Sequence, residues 1–117
     1  MAEHERVICA ASDLVDQGRG VRFELNRYGK PQPAFVVRYD GQPRAFLNLC
    51  GHIPVELDWQ EGEFFDDSRL YLICSTHGAL YHPASGHCLG GRCDGRGLIP
   101  VPVVERGGHV YLIETAT

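Results

Sequence analysis

Two short pairs of cysteine and histidine stand out as residues that could bind a metal. Cys50 and His52 are separated by one glycine, and Cys74 and His77 follow after a gap of 21 residues. Each pair supplies one thiolate and one imidazole from a tight loop. The four ligands suit either one tetrahedral zinc ion or a two-iron, two-sulfide cluster in which one iron binds both cysteines and the other both histidines. The spacing alone does not choose between these two.

The apolar stretches around these pairs are short and rich in Val, Phe, Tyr and Ile, and Gly, Pro, Asp and Asn bound them. This pattern is typical of many short β-strands and carries almost no helical periodicity. The Asp40-Gly41 pair predicts a hairpin turn, and Arg106-Gly107-Gly108 predicts a closing hairpin. We expect strands over 7–11, 21–25, 34–39, 44–49, 70–74, 79–82, 100–105 and 109–114, and one helical turn over 12–17.

The strand pattern predicts an all-β fold, an antiparallel sandwich or barrel, with the candidate ligands on loops at the ends of strands. At 117 residues the chain is expected to form a single domain, residues 1–117, around one modest core. A hydrophobic content of 44% with 22% charged residues is ordinary for a soluble globular protein.

The composition also excludes some classes of partner and location. The formal net charge of -4 and the lack of a Lys/Arg block argue against nucleic acid. No stretch approaches the roughly 18 apolar residues of a membrane span. The polar N-terminus has no apolar run of the secretory type, so a cytoplasmic protein is expected. Five cysteines, an odd number, fit reduced thiols and metal ligands better than a secreted disulfide framework.

The residues around the two pairs resemble a Rieske iron–sulfur domain. The segment NLCGH at 48–52 is similar to the first ligand motif of that family. The segment HGALY at 77–81, followed by Gly86, the Gly90-Gly91 pair and an exit strand near 98–101, is similar to the second half. The likeness extends over roughly residues 7 to 114, and a doubled motif of this kind is a specific signal.

The resemblance implies one [2Fe-2S] cluster, with Cys50 and Cys74 on the buried iron and His52 and His77 on the outer iron. It implies a Rieske-like β-sandwich or barrel in which a small cluster-binding subdomain, about residues 48–94, is formed by two loops. It also implies an electron carrier rather than an enzyme. The partners would be redox proteins, namely a flavin reductase and a ring-hydroxylating oxygenase or related enzyme.

The charge of such a cluster explains what two histidine ligands achieve. Two ferric ions, two sulfides and two thiolates sum to zero, so the oxidised cluster is neutral and reduction adds one negative charge. A four-cysteine cluster is negative before it is reduced, so it accepts an electron less readily. The potential is therefore expected in the range of about -150 to +300 mV, above that of plant-type ferredoxins.

Within the family, three positions favour the ferredoxin and oxygenase branch over the respiratory branch. Ala79 stands where respiratory members have a serine, and Thr76 stands where they have an additional cysteine. The segment IPV at 53–55 supplies no other cysteine. Tyr81 matches a tyrosine that donates to a ligand sulfur in respiratory members. It is equally well explained as a half-buried strand aromatic.

Two functions from other classes remain open at this stage. One is a subunit like the small subunit of nitrite reductase, although some members of that group lack the ligands that this chain has. The other is a structural zinc module with the same two cysteines and two histidines. An oxygenase in its own right is not expected, because the chain leaves no room for a catalytic iron domain with two histidines and a carboxylate.

Two further clusters of polar residues have simpler explanations. The segment 56–67, which contains six acidic residues and no basic one, is expected to be a solvated loop whose Trp59, Phe64 and Phe65 pack onto the sheet. The alternative is an acidic rim that steers a basic redox partner. A second metal site is not expected near the middle of the chain, where surface histidines and small packing cysteines explain the sequence: His82, His87, Cys88 and Cys93.

Overall fold

The structure is a computed structural model, and it describes residues 3–27, 29–49, 56–58, 60–74, 78–91 and 97–115. Within these residues the chain forms ten strands, one 3-10 turn at Ala11–Asp13 and no α-helix. The strands are β1 Glu3–Ala10, β2 Val21–Arg27, β3 Lys30–Tyr39, β4 Gln42–Leu47, β5 Leu72–Ile73, β6 Leu80–Tyr81, β7 Cys88–Gly90, β8 Pro100–Val101, β9 Val103–Arg106 and β10 His109–Thr115. In the described ranges there is also no helix long and apolar enough to cross a membrane.

The strands form three antiparallel sheets, which confirms the predicted all-β class. The first sheet has the order β1-β10-β9, the second β2-β3-β4-β8 and the third β5-β6-β7. The single strand expected over 100–105 is two strands, because Pro102 has no N–H to donate and interrupts the pairing. On either side of this proline, β8 pairs with β4 and β9 pairs with β10, so the chain passes from the second sheet to the first.

Both predicted hairpin turns are present. Asp40 and Gly41 have φ angles of 55° and 74°, and Gly107 and Gly108 have φ angles of 60° and 84°. Positive φ at both central residues is what a type I′ turn requires, and this turn matches the twist of the strands that it joins. The Asp-Gly and Gly-Gly pairs therefore set the registers of β3 with β4 and of β9 with β10.

The expectation of one core is wrong, because the second sheet is buried on both faces. Successive side chains of a strand point to opposite faces. Phe35 and Val37 of β3 accordingly belong to one hydrophobic cluster, whereas Ala34 and Val36 belong to another. The first cluster lies toward the third sheet and includes Cys74, and the second lies toward the first sheet. The chain can form two hydrophobic clusters despite its length, because alternate residues of the same strand, β3, contribute to both.

Arg38 joins the first two sheets. From β3, its guanidinium donates to the carbonyl oxygens of Leu14 and Ala11 at 2.9 and 3.0 Å, in the connection between β1 and β2. It also forms an ion pair with Glu105 of β9 at 2.7 Å. The Arg38 side chain is only 13% exposed, so these contacts are largely shielded from solvent.

Candidate metal centre

The second ligand loop begins at the end of β5 and returns into β6. Cys74 follows β5 directly and is completely buried. Its N–H donates to the carbonyl oxygen of Ala79 at 2.9 Å, and its own carbonyl oxygen accepts from the N–H of Gly78 at 2.8 Å. Gly78 has a φ of 74°, a conformation that glycine adopts without strain. The two ends of the loop are thus bonded to each other.

Four predicted site residues define the candidate centre, and Cys74 is the one that the structure describes. The other three, Cys50, His52 and His77, lie outside the described residues, as does Thr76. The ligand set therefore stays a prediction. The described residues nevertheless show how the chain enters and leaves each ligand segment.

The first ligand segment is entered from β4 and left at Glu56. Asn48, just after β4, is completely buried, and its N–H donates to the carbonyl oxygen of Pro33 at 2.8 Å. Its side-chain oxygen accepts from the N–H of Leu57 at 2.8 Å, and its side-chain amide donates to Asp58 Oδ1 at 3.2 Å. Residues before and after the segment are therefore bonded to each other through one side chain.

Asp58 extends this network to Gly62 and Arg22. Its side chain is 1% exposed, and its Oδ2 accepts from the N–H of Gly62 at 3.1 Å and lies 3.7 Å from Arg22 Nε. Arg22 also pairs with Glu56 at the surface, and this hydrogen bond raises the pKa of the guanidinium. The buried carboxylate is thus satisfied by two hydrogen bonds and a nearby positive charge, as burial of a charge requires. Sequence patterns did not indicate this network.

A third segment, residues 88–91, lies against Gly78 and Ala79, where the second ligand loop returns. Gly90 of β7 pairs with Leu80 of β6, and Gly91 follows with a φ of 84°. A Cβ atom at Gly91 would lie 2.8 Å from the Cα atom of Ala79 and 3.1 Å from the carbonyl oxygen of Gly78. Only a glycine allows the backbone to approach this closely. Strand β7 was missed because residues 88–90 carry no strand alternation.

The two residues proposed to influence the potential lie in the dry interior. Ala79 and Tyr81 are completely buried in the same hydrophobic cluster as Cys74. Tyr81 pairs with Leu72 across the third sheet. The aromatic ring is thus fully buried rather than half-buried, and its donation to a ligand sulfur stays a prediction.

The acidic segment packs onto the core, as the simpler explanation expected. Phe64 and Phe65 are buried, and the ring of Phe64 stacks on that of Phe35 with centroids 4.0 Å apart. The carbonyl oxygen of Phe64 accepts from the N–H of Ile73, which attaches the segment to β5. Trp59 lies outside the described residues.

Within the described residues, no group of three or more potential ligands could hold a metal. Of the residues considered for a second site, Cys93 lies outside the described residues, so that expectation stays a prediction. His82 Nδ1 instead accepts from the N–H of Ala84 at 3.1 Å. Cys88 packs against the first cluster as expected, but it is also disulfide-bonded, which the expectation of reduced thiols did not include. Cys9 has a free thiol, and burial, followed by the charge of Asp13, raises its pKa to about 11.

Comparison with known families decides the identity of this arrangement. Residues 4–105 match the family model described as the Rieske [2Fe-2S] domain. The chain belongs to the Rieske [2Fe-2S] domain family. This agrees with the resemblance of the two ligand motifs, and membership implies one [2Fe-2S] cluster. No curated protein sequence matches the chain.

Solved structures show that the fold is shared with ferredoxins and with part of a terminal oxygenase. The ferredoxin of carbazole 1,9a-dioxygenase from Nocardioides aromaticivorans IC177 is 19% identical with a TM-score of 0.70, and the match covers 95% of this chain and 98% of that one. A ferredoxin from Sphingomonas yanoikuyae B1 is 21% identical with a TM-score of 0.68, covering 97% and 100%. The terminal oxygenase of carbazole 1,9a-dioxygenase from Novosphingobium sp. KA1 is 21% identical with a TM-score of 0.75, covering 97% of this chain and 30% of that one.

The described part of the centre fits a Rieske cluster. Cys74 lies in an apolar, fully buried setting at the base of a hydrogen-bonded loop, which suits a thiolate bound to an iron away from water. Gly91 packs closely against the backbone of Ala79 and Gly78, where that loop returns. The predicted donor set of two thiolates and two imidazoles is the one that a Rieske cluster requires.

Proposed function

We propose that this protein is an electron carrier that holds one electron on a Rieske [2Fe-2S] cluster. Cys50 and Cys74 would bind one iron, and His52 and His77 the other. When bound, the cluster accepts and releases a single electron. The chain's own residues would hold the ligand segments, exclude water from the cysteine-bound side and leave the histidine side open to a partner.

The observation that carries this proposal is the family match over residues 4–105, together with the position of Cys74 in a buried, hydrogen-bonded loop. Burial of Cys74 keeps solvent from its sulfur atom, and solvent exposure is one of the factors that set the potential of such clusters.

A carrier is favoured over an oxygenase by the extent of the structural matches. The chain covers 98% and 100% of two ferredoxins but 30% of a terminal oxygenase. One matched structure is described as a complex of reduced oxygenase and oxidized ferredoxin in carbazole 1,9a-dioxygenase. By analogy, we propose that this chain transfers its electron to an oxygenase or related redox enzyme and receives it from a reductase.

The organisation and location of the carrier are part of the same proposal. Residues 1–117 would form one domain, with the cluster-binding part at about 48–94 resting on the second sheet. We propose a cytoplasmic location, for which the free thiol of Cys9 is in favour and the disulfide bond of Cys88 is against. Cell fractionation with a compartment marker tests the location independently of the cofactor.

The test of the function begins with the purified protein. Iron and acid-labile sulfide in equal amounts, two of each per chain, with visible absorption that bleaches on reduction, are expected for one [2Fe-2S] cluster. The reduced protein is then mixed with a terminal oxygenase in the absence of oxygen, and its reoxidation is followed by absorbance. A colourless protein that contains zinc and no sulfide would overturn the proposal in favour of the zinc module.

A further inference from the structure

Asn48 is, among the residues that the structure describes, the polar residue buried in the core. It forms hydrogen bonds with β3 and with the two residues that follow the first ligand segment. Its backbone N–H is held by Pro33 of β3, its side-chain oxygen holds Leu57, and its side-chain amide holds Asp58. A buried amide is costly unless its partners are in place, so this network tolerates little displacement.

The network lies at the ends of one short stretch of chain. Asn48 stands two residues before Cys50, and Leu57 and Asp58 come directly after Glu56 at the other end of the segment. The side chain of Asn48 thereby connects positions nine and ten residues apart in sequence. Any movement of either end would have to break a buried hydrogen bond.

Asp58 anchors the far end to elements outside the segment. Its second carboxylate oxygen accepts from Gly62, and Arg22 of β2 lies 3.7 Å away. The ends of the stretch are thus bound both to each other and to the second sheet.

We infer that the Asn48–Asp58 pair is a positioning element that sets the geometry of the first ligand segment and so of the cluster ligands that it carries. The inference rests on the proposed function. Removing an outer contact that orients ligands typically weakens metal binding about 10- to 100-fold. The pair would act through the backbone on either side of the segment, where Asn48 bonds to Leu57 and Asp58.

The principal test is Asn48→Leu, which preserves volume and adds no charge. The rate of cluster loss to an iron chelator is followed by visible absorbance well below the thermal midpoint, and the EPR spectrum of the reduced protein is recorded. We expect cluster loss to accelerate about 10- to 100-fold and the EPR g-values to shift. Asp58→Ala keeps the hydrogen bond from the Leu57 N–H to Asn48, so it is expected to accelerate cluster loss by a smaller factor. This variant carries the test if Asn48→Leu folds poorly.

A polarity swap tests the pair as a unit. Asn48→Asp alone places a carboxylate opposite Asp58 Oδ1 and should accelerate cluster loss. Combining it with Asp58→Asn restores a donor and an acceptor across the pair, leaves an oxygen for the N–H of Gly62, and keeps the net charge. The double variant is expected to recover the rate of cluster loss and the EPR spectrum of the unmodified protein.

Arg38→Met is the matched control, because it removes an equally extensive hydrogen-bond network between the first two sheets. It should lower the thermal midpoint without changing the EPR spectrum. If Asn48→Leu behaves like this control, with unchanged g-values and unchanged cluster loss, the pair is structural only and the inference is wrong. An unmodified protein that lacks iron and sulfide would instead refute the proposed function.

Discussion

At the scale of single residues, Cys74 combines the features expected of a structural ligand. It is fully buried, it ends a strand, and its backbone is bonded on both sides to the return of the loop. Cys9 offers a useful contrast, because it lies on β1 as a half-buried free thiol with a raised pKa of about 11. The two cysteines therefore differ both in burial and in the backbone hydrogen bonds that surround them.

Cys74→Ser is expected to abolish the cluster, because it removes one of four protein bonds to the two irons. Iron and acid-labile sulfide are measured on the purified variant. Cys9→Ser makes the same chemical change far from the ligand loops and should retain full iron and sulfide content. A normal cluster in the Cys74 variant would remove this residue from the ligand set.

Ala79→Ser is expected to raise the midpoint potential, because a hydroxyl beside the ligand loop can donate to a sulfur and stabilise the added electron. The site is dry, so a hydroxyl that finds no acceptor would instead destabilise the fold. Film voltammetry measures the potential. Ala45→Ser introduces the same group at another buried position, on β4, and should leave the potential unchanged; equal shifts in both variants would contradict the assignment.

At the scale of elements, the centre depends on how closely three segments approach one another. The second ligand loop is bonded across its ends, the acidic segment is attached to β5, and Gly91 brings the third segment against Ala79. None of these contacts lies within one strand. They arise where β5, β6 and β7 pair as a small sheet.

Gly91→Ala should destabilise the fold around the second ligand loop, because the new methyl group would lie 2.8 Å from the Cα atom of Ala79. Together with the cost of a positive φ, we expect a loss of about 2–5 kcal/mol in unfolding free energy and faster cluster release. Gly108 has the same φ of 84°, but no atom lies within 4 Å of the position that a Cβ atom would take there, so Gly108→Ala is the matched control.

This matched variant should lose only the conformational contribution of about 1–2 kcal/mol and keep its cluster. Denaturant unfolding and chelator-driven cluster loss are measured on both proteins. Equal effects of the two substitutions would show that the close approach to Ala79 does not matter.

At the scale of the whole molecule, stability depends on the second sheet, which packs against the first sheet on one face and toward the third sheet on the other. The second sheet contributes one face to each hydrophobic cluster. The hydrophobic cluster that contains Cys74 and the one on the opposite face are therefore connected through β3 and β4. Arg38 reinforces this arrangement by linking β3 to the connection after β1 and to β9.

Arg38→Met should therefore lower the unfolding free energy by about 2–3 kcal/mol, since it removes several charged hydrogen bonds in a shielded site. Arg106→Met breaks an ion pair with Glu5 in which the arginine side chain is 59% exposed, and should cost less than about 1 kcal/mol. Denaturant unfolding compares the two. A similar small loss in both would mean that Arg38 does not join the sheets energetically.

The sequence by itself determined most of the strands and both hairpin turns, because these follow from local chemistry. Alternating and continuous apolar runs predicted β2, β3, β4 and β10 to within a few residues, and the Asp40-Gly41 pair predicted its turn from the need for positive φ. The paired cysteines and histidines, with the surrounding motifs, predicted the family that the comparison confirmed. The identity of the ligands is still a prediction at all four positions, Cys74 included.

Only the tertiary structure decided which distant residues meet around the centre. The contacts of Asn48 with Leu57 and Asp58, and of Gly91 with Ala79, join residues nine to twelve positions apart without any periodic signal. The two clusters around one shared sheet, and the passage between sheets at Pro102, were also decided there. The reason is physical: strand and turn preferences act between near neighbours, whereas these contacts exist only once three sheets have packed.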